Sequence, residues 1–211
     1  MKQLKVFIAD DHLLIREGLK KILSGEKEFI VIGESGDPDE VLDFINENEV
    51  DILILDLNMP GRSGLDVLKH VKKIKPETKV LILSMYPEDQ FGERTIKAGA
   101  SGYITKESAS DELLNALKKI AKGGNYISPA FAEKLLYKIK STNEQKPHEL
   151  LSDRELQIMI LMAKGKTQVE ISNELALSTS TVNTYRSRIL EKLKLKSNAE
   201  IIRYALQNNL L

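Results

Sequence analysis

Over its first 124 residues the chain alternates short, unbroken apolar runs with segments whose apolar residues recur at helical spacing, and few architectures accommodate that order. The runs are LKVFIA, FIVIGE, DILILD, VLILS and GYIT. Helices are marked by Ile15, Leu19, Ile22 and Leu23, by Val41, Leu42 and Ile45, by Leu65, Leu68 and Val71, and by Leu113, Leu117 and Ile120. Ile52 to Leu55 and Val80 to Leu83 lack any polar alternation, so both faces of those strands must be covered, as in a parallel sheet with helices on either side. The expected fold is a doubly wound α/β domain of five strands and five helices.

Beyond Gly123-Gly124 the period changes. Ser128 is placed to cap a helix that Pro129 opens, and STNEQKPHE after it is polar and lacks apolar periodicity, as a flexible linker does. Residues 125–147 are therefore expected to be a connecting helix and linker. From Leu151 the pattern is helical throughout, with capping boxes at Ser152/Glu155 and Ser197/Glu200 and an apolar stripe of Leu156, Met159, Ile160 and Ala163 ended by Gly165. A small all-α domain over residues 148–211 follows. Two of its helices, Thr167 to Leu175 and about Thr179 to Lys194, are separated by a short turn, which makes a helix-turn-helix candidate.

Several function classes drop out. With no cysteine there are no thiol nucleophiles, disulfides or thiolate metal sites, and His12, His70 and His148 are too scattered for a zinc cluster. No apolar run approaches the roughly 20 residues of a membrane helix, so a cytoplasmic protein with no membrane partner is expected. Net charge is zero, but its distribution is uneven: from His148 onward nine basic residues face seven acidic ones, and Arg186 to Lys196 holds five basic residues against Glu191 alone.

The chemistry concentrates at strand ends. Asp10 and Asp11 end the first apolar run, Asp56 the third, Ser84 the fourth, and Thr105-Lys106 the fifth. In open parallel sheets ligands bind at the carboxyl ends of strands, beside a topological switch point. Three carboxylates converging there raise one another's pKa unless a cation neutralises them, and Mg²⁺ suits a site of carboxylates, water and phosphate oxygens. His12 is read as a helix-start residue without a site role.

Asp10-Asp11, Asp56 in LILDLNMPGRSG, Ser84 in LILSMY and Lys106 in GASGYITK together resemble the receiver domain of two-component response regulators, over about residues 1–124. The resemblance implies a flavodoxin-like fold in which Asp56 accepts a phosphoryl group from a sensor histidine kinase. It also implies Mg²⁺ held by Asp11, Asp56 and the backbone carbonyl of Asn58, with Asp10 acting through water, and a counter-ion in Lys106. Ser84 and Tyr103 resemble the family's switch pair. Catalysis is expected to extend only to the chain's own phosphorylation and dephosphorylation.

The segment from Leu151 resembles the LuxR-type helix-turn-helix, and the two domains together resemble the NarL/FixJ subfamily. On a helical wheel Val182, Ile189 and Leu193 share one side of the second helix, while Ser180, Asn183, Thr184 and Ser187 face the other, with Thr181 and Arg188 at its edge and Lys192 further on. Short polar side chains at base edges with basic ones beside them suit a major groove. The resemblance implies double-stranded promoter DNA as partner, base reading by Asn183, Thr184 and Ser187, and a homodimer on DNA; it also admits RNA polymerase as a partner. Departures matter: Gln168-Val169 stands where the family often has Asn-Lys, Asn183 follows Thr-Val where the family often has Lys, and Tyr185 stands where it often has His.

The expected function is thus a phosphorylation-activated transcription regulator. The alternatives are a DNA-binding regulator controlled by protein partners without phosphate, an aspartyl-phosphate phosphatase, and a flavin-binding module. A phosphatase of that kind needs an Asp where this chain has Asn58. A flavin module needs a Ser/Thr/Gly-rich phosphate loop where this chain has Asp10-Asp11.

Overall fold

The computed structural model describes residues 3–140 and 146–211, so part of the linker expected over residues 141–149 lies outside the described residues. The chain forms two compact units, residues 1–140 and 141–211. In the first, five strands make one all-parallel sheet: β1 (Leu4–Ala9), β2 (Phe29–Ser35), β3 (Ile52–Asp56), β4 (Lys79–Ser84) and β5 (Gly102–Thr105). Their order is β2-β1-β3-β4-β5, which puts the switch point between β1 and β3.

The helices are α1 (Leu13–Ser24), α2 (Pro38–Glu47), α3 (Gly64–Ile74), α4 (Glu88–Lys97), α5 (Ala109–Ala121) and α6 (Pro129–Lys140). Every residue of β3 is buried, the reason for its unbroken apolar run. Val6, Ile8, Ile52, Ile54, Leu81 and Leu83 pack with Leu19 and Leu23 of α1 and Leu113, Leu117 and Ile120 of α5. The intervening Phe7, Leu53, Leu55, Val80 and Ile82 are equally buried on the other face, where Phe7 stacks 4.5 Å from Phe44 of α2. Each such aliphatic side chain contributes about 1.5–3 kcal/mol of burial, so the central strands are the rigid part of the unit.

The loop after β3 is tight. Gly61 adopts φ +77, Ser63 caps α3 by accepting from Asp66 N at 3.2 Å, and Gly64 N donates to Leu57 O at 3.1 Å. A Cβ on Gly64 would lie 2.0 Å from the backbone oxygen of Asp56 and 2.7 Å from Leu57 Cα. Neither atom can swing aside, so Gly64→Ala should shift the backbone at Asp56 and cost about 1–3 kcal/mol, measurable by urea denaturation.

α4 and the segment after α5 were the least foreseen parts. The face that α4 buries is formed by Gln90, Phe91, Gly92 and Thr95, too polar to show as an apolar stripe. Residues past Gly124 return to the sheet edge, where Tyr126 O accepts from Tyr103 N at 2.9 Å. Ser128 then opens α6, and that helix lies on α4: Phe131 is buried over Gly92, Ser128 Oγ donates to Glu88 Oε2 at 2.5 Å, and Lys134 pairs with Asp89 at 2.5 Å.

The second unit is a helical cluster of α7 (Asp153–Ala163), α8 (Gln168–Glu174), α9 (Thr179–Leu193) and α10 (Asn198–Gln207), preceded by a 3₁₀ turn over Pro147–Leu150. The sequence suggests a single apolar stripe on α7. In the fold Arg154 to Ala163 are all buried, because α7 contacts each of the other three helices. Its polar members are satisfied internally: Arg154 donates to Gln157 Oε1 at 2.7 Å and Leu175 O at 3.0 Å. The capping box at Ser152/Glu155 is complete, and a second complete one stands at Thr167/Glu170. At Ser197 only half a box forms, since Glu200 accepts from Lys196 N. Among the described residues no helix is long and apolar enough to cross a membrane.

Candidate functional site

The register of the sheet gathers the polar strand ends. Ala9 pairs with Leu55, Asp56 with Leu83, and Ser84 with Thr105, so Asp10, Asp56, Ser84 and Lys106 leave the same edge. Asp56 is fully buried, Asp10 nearly so, and Lys106 Nζ sits between them, 2.7 Å from Asp56 Oδ2 and 2.7 Å from Asp10 Oδ2. Its contact with Asp56 is also a directed hydrogen bond. That with Asp10 is a close ion pair, and Asp10 Oδ2 has no other partner among the described residues. The second oxygen of Asp56 accepts from Asn58 N at 3.0 Å, which ties the following loop to the carboxylate.

The electrostatics are undercompensated. Burial pushes the Asp56 carboxyl up to about 6; Lys106 pulls it down and Asp10 pushes it further up. Burial also works to lower Lys106, but Asp56 and Asp10 together hold it above its ordinary value. Ligand atoms of Asp10, Asp11, His12 and Asp56 all lie within 4.8 Å of one another. One ammonium against these three carboxylates, two of them buried, is a donor set that fits a hard divalent cation.

His12, which the sequence marks as a helix start, stands at that position and also lies against the acidic pair. It occupies the N-cap position of α1, yet its side chain makes no cap bond; Nδ1 lies 2.6 Å from Asp11 Oδ1 and 3.3 Å from Asp10 Oδ1. Arg16 was missed. It donates from Nη1 to Asp10 O at 2.7 Å and so fixes the turn that aims the acidic pair. Only its helical position relative to Asp10 signals this in the sequence.

Ser84 is fully buried and its Oγ accepts from Tyr86 N at 3.1 Å. The Tyr103 ring is buried too, and its hydroxyl, beside that of Ser84, donates to Tyr86 O at 2.7 Å. Burial pushes the phenol well above its ordinary value. Tyr86 in turn packs 4.8 Å from Phe91 of α4. Hydroxyl, aromatic ring and helix are thus joined by direct contacts.

In the second unit Ser178 caps α9, accepting from Thr181 N at 3.0 Å, and Val182, Ile189 and Leu193 anchor the helix to the cluster. Asn183, Thr184, Ser187 and Arg188 are exposed and Thr181 is half-buried, the distribution expected from the helical wheel. Arg188 lies 6.0 Å over the Tyr185 ring. Lys192 is differently employed: its Nζ is 2.6 Å from Glu155 Oε2, a bond that staples α9 to α7. Burial alone would raise the Glu155 carboxyl, but Lys192 and Ser152 outweigh it and hold it below its ordinary value.

Residues 6–118 match the family described as response regulator receiver domain, and residues 149–205 that of bacterial regulatory proteins of the luxR family. The oxygen regulatory protein NreC of Staphylococcus carnosus is 36% identical over 217 residues, covering 99% of both chains. The response regulator GacA of Pseudomonas aeruginosa is 34% identical, covering 99% of this chain and 98% of its own. Among solved structures, RcsB from Salmonella enterica serovar Typhimurium bound to promoter P1flhDC in the presence of phosphomimetic BeF3⁻ superposes with a TM-score of 0.61 at 26% identity, covering 96% of this chain and 98% of that one.

Proposed function

Because the chain belongs to the response regulators of NarL/FixJ type, a receiver domain joined to a LuxR-type DNA-binding domain, we propose that Asp56 accepts a phosphoryl group from a sensor histidine kinase and that the modified protein binds promoter DNA as a dimer. The observation that carries this reading is the bridging of Asp56 and Asp10 by Lys106 at 2.7 Å each, beside the hydroxyl strand end of Ser84. We assign residues 1–124 to the receiver and 148–211 to the DNA reader, with 125–147 as the connection.

Asp56, ionised at neutral pH, attacks phosphorus with a carboxylate oxygen; the bond to the donor breaks with its electron pair remaining on the donor, and an acyl phosphate forms. Asp10, Asp11, Asp56 and Asn58 are the residues we assign to Mg²⁺, which when bound supplies charge neutralisation at the phosphoryl oxygens. Lys106 neutralises a further oxygen, and the Ser84 hydroxyl donates to another. That donation draws Ser84 away from Tyr103 and biases the Tyr86 loop and α4, since phosphorylation adds about −1.5 to −2 charge and three acceptors.

On DNA, the N-terminal half of α9 is the part we place in the major groove, with Asn183, Thr184 and Ser187 at base edges and Thr181 and Arg188 beside them. Lys192 serves first as the staple to Glu155 and also donates to Leu150 O, so only its remaining donor is offered to a phosphate. α10 exposes Leu206 while burying Ile201 and Ala205, which suits a dimer contact on two half-sites roughly 34 Å apart. Genome-wide mapping of bound DNA should show occupied sites that are lost in an Asp56→Ala strain. Equal occupancy in the two strains would favour a regulator that works without phosphate.

A further inference from the structure

The segment that opens α6 closes a ring of hydrogen bonds on Tyr103. Tyr126 N donates to Ser101 O and Tyr103 N donates to Tyr126 O, each at 2.9 Å, so the root of α6 is laid along the edge of β5. Two residues on, Ser128 donates from N to Glu88 Oε1 at 3.2 Å and from Oγ to Glu88 Oε2 at 2.5 Å. Glu88 opens α4 and is joined through Pro87 to Tyr86, whose carbonyl accepts from the Tyr103 hydroxyl at 2.7 Å. The backbone and the side chain of Tyr103 thus hold the two ends of one circuit.

The two halves of that circuit are held differently. The Tyr126 half is bonded to β5, where Tyr103 and Ile104 are buried in the sheet. The Tyr86 half is tied to Ser84, whose Oγ accepts from Tyr86 N at 3.1 Å, and a phosphoryl group that engages the Ser84 hydroxyl displaces that turn. Pro87, at φ −56, has its rotation fixed by its ring and hands the displacement on to Glu88. The Glu88 carboxylate is a charged acceptor engaged twice by Ser128, and such bonds are the strong ones. Further along α6, Phe131 and Lys134 also bear on α4. The helix is therefore rooted on the fixed sheet and gripped by the element that moves.

We propose that α6 is the output arm of the receiver: phosphorylation of Asp56 displaces Glu88, and Glu88 swings α6 about its root at Tyr126, redirecting the helix that leads in sequence to the DNA reader. The inference rests on the reading of Asp56 as the phosphoacceptor. Glu88 is a positioning residue that acts through Ser128, and the Ser128 cap of α6 is independent of it, since Ser128 Oγ also accepts from Phe131 N at 3.2 Å.

The chain has no cysteine, so introduced cysteines carry spin labels at chosen positions alone. One label is placed at His70→Cys on α3, and the second at Ala130→Cys near the root of α6 or at Tyr137→Cys further out, all three exposed positions. Distances are read by pulsed electron paramagnetic resonance on the full-length protein with Mg²⁺, with and without acetyl phosphate, and the phosphoryl group is counted by intact mass. The distance from 70 to 137 should shift on phosphorylation roughly fourfold more than that from 70 to 130, the ratio of their distances from Ser128 at about 1.5 Å per residue. Glu88→Ala should gain the same phosphoryl mass and lose the shift at 137. Glu88→Gln keeps an acceptor oxygen for Ser128 and should retain the shift. A phosphorylated wild type with neither distance changed, or with both changed equally, overturns this inference alone, as does a Glu88→Ala chain that responds like wild type. A wild type that gains no phosphoryl mass overturns the reading of Asp56 and the inference with it.

Discussion

An Asp56→Asn chain should take up no phosphoryl group from acetyl phosphate, where the wild type gains one phosphoryl mass on Asp56, and in metal-free buffer it should be the more stable of the two. The carboxyl ionises at about 6 in the folded protein and near 3.8 in an exposed chain. Between those values the folded state binds the extra proton, so the wild type loses stability as pH rises through that window, by about 3 kcal/mol once pH exceeds 6. Asparagine cannot ionise and escapes the loss. The gain measured by urea denaturation should therefore approach 3 kcal/mol at about pH 7 and shrink towards zero at about pH 4. A gain of the same size at both pH values would show that charge was not its source. Saturating Mg²⁺ should narrow the difference at pH 7, since the metal stabilises the ionised wild-type site.

Lys106→Met should have the opposite sign. The Lys106 side chain is 5% exposed and its ammonium is the cation between two buried carboxylates. Removing one member of such a group strands the others without compensation, at a cost of about 3–5 kcal/mol. Methionine replaces much of the stem's volume, so the loss reports charge rather than a cavity. Acidification, which protonates the stranded carboxyls, and Mg²⁺, which neutralises them, should each restore part of the stability. An undiminished loss at about pH 4.5 would assign the effect to packing instead. Phosphoryl uptake from acetyl phosphate should fall sharply in the same variant even where the fold is rescued.

How much of this was legible in the sequence depended on whether burial was apolar. β3 and β4 are covered on both faces and have no reason to alternate, so their runs announced a parallel sheet, and their last residues announced the site. α4 lies beyond that signal, since Gln90 and Thr95 fill part of its core face, Thr95 Oγ1 donating to Gly92 O at 2.8 Å. The sequence of α7 suggests a single stripe, as for a helix facing one neighbour, whereas this one contacts three. His12 and Arg16 reach the acidic pair through side-chain direction, which spacing does not encode. Lys192 illustrates the converse: its charge and position pointed to phosphate, and only the approach of Glu155 from α7 reveals its other use.

The polar seating of α4 also sets where this molecule can yield. Free energies of local opening follow buried apolar contact, so the strand carrying Asp56 should release its amides to exchange only on global unfolding, whereas α4 stands among the elements that detach most cheaply. α6 rests on that helix through Phe131, Glu88 and Lys134 and would be carried with it. A fixed chemical centre beside a loosely held helix lets a modification worth a few kcal/mol move one part of the fold while the rest stays whole.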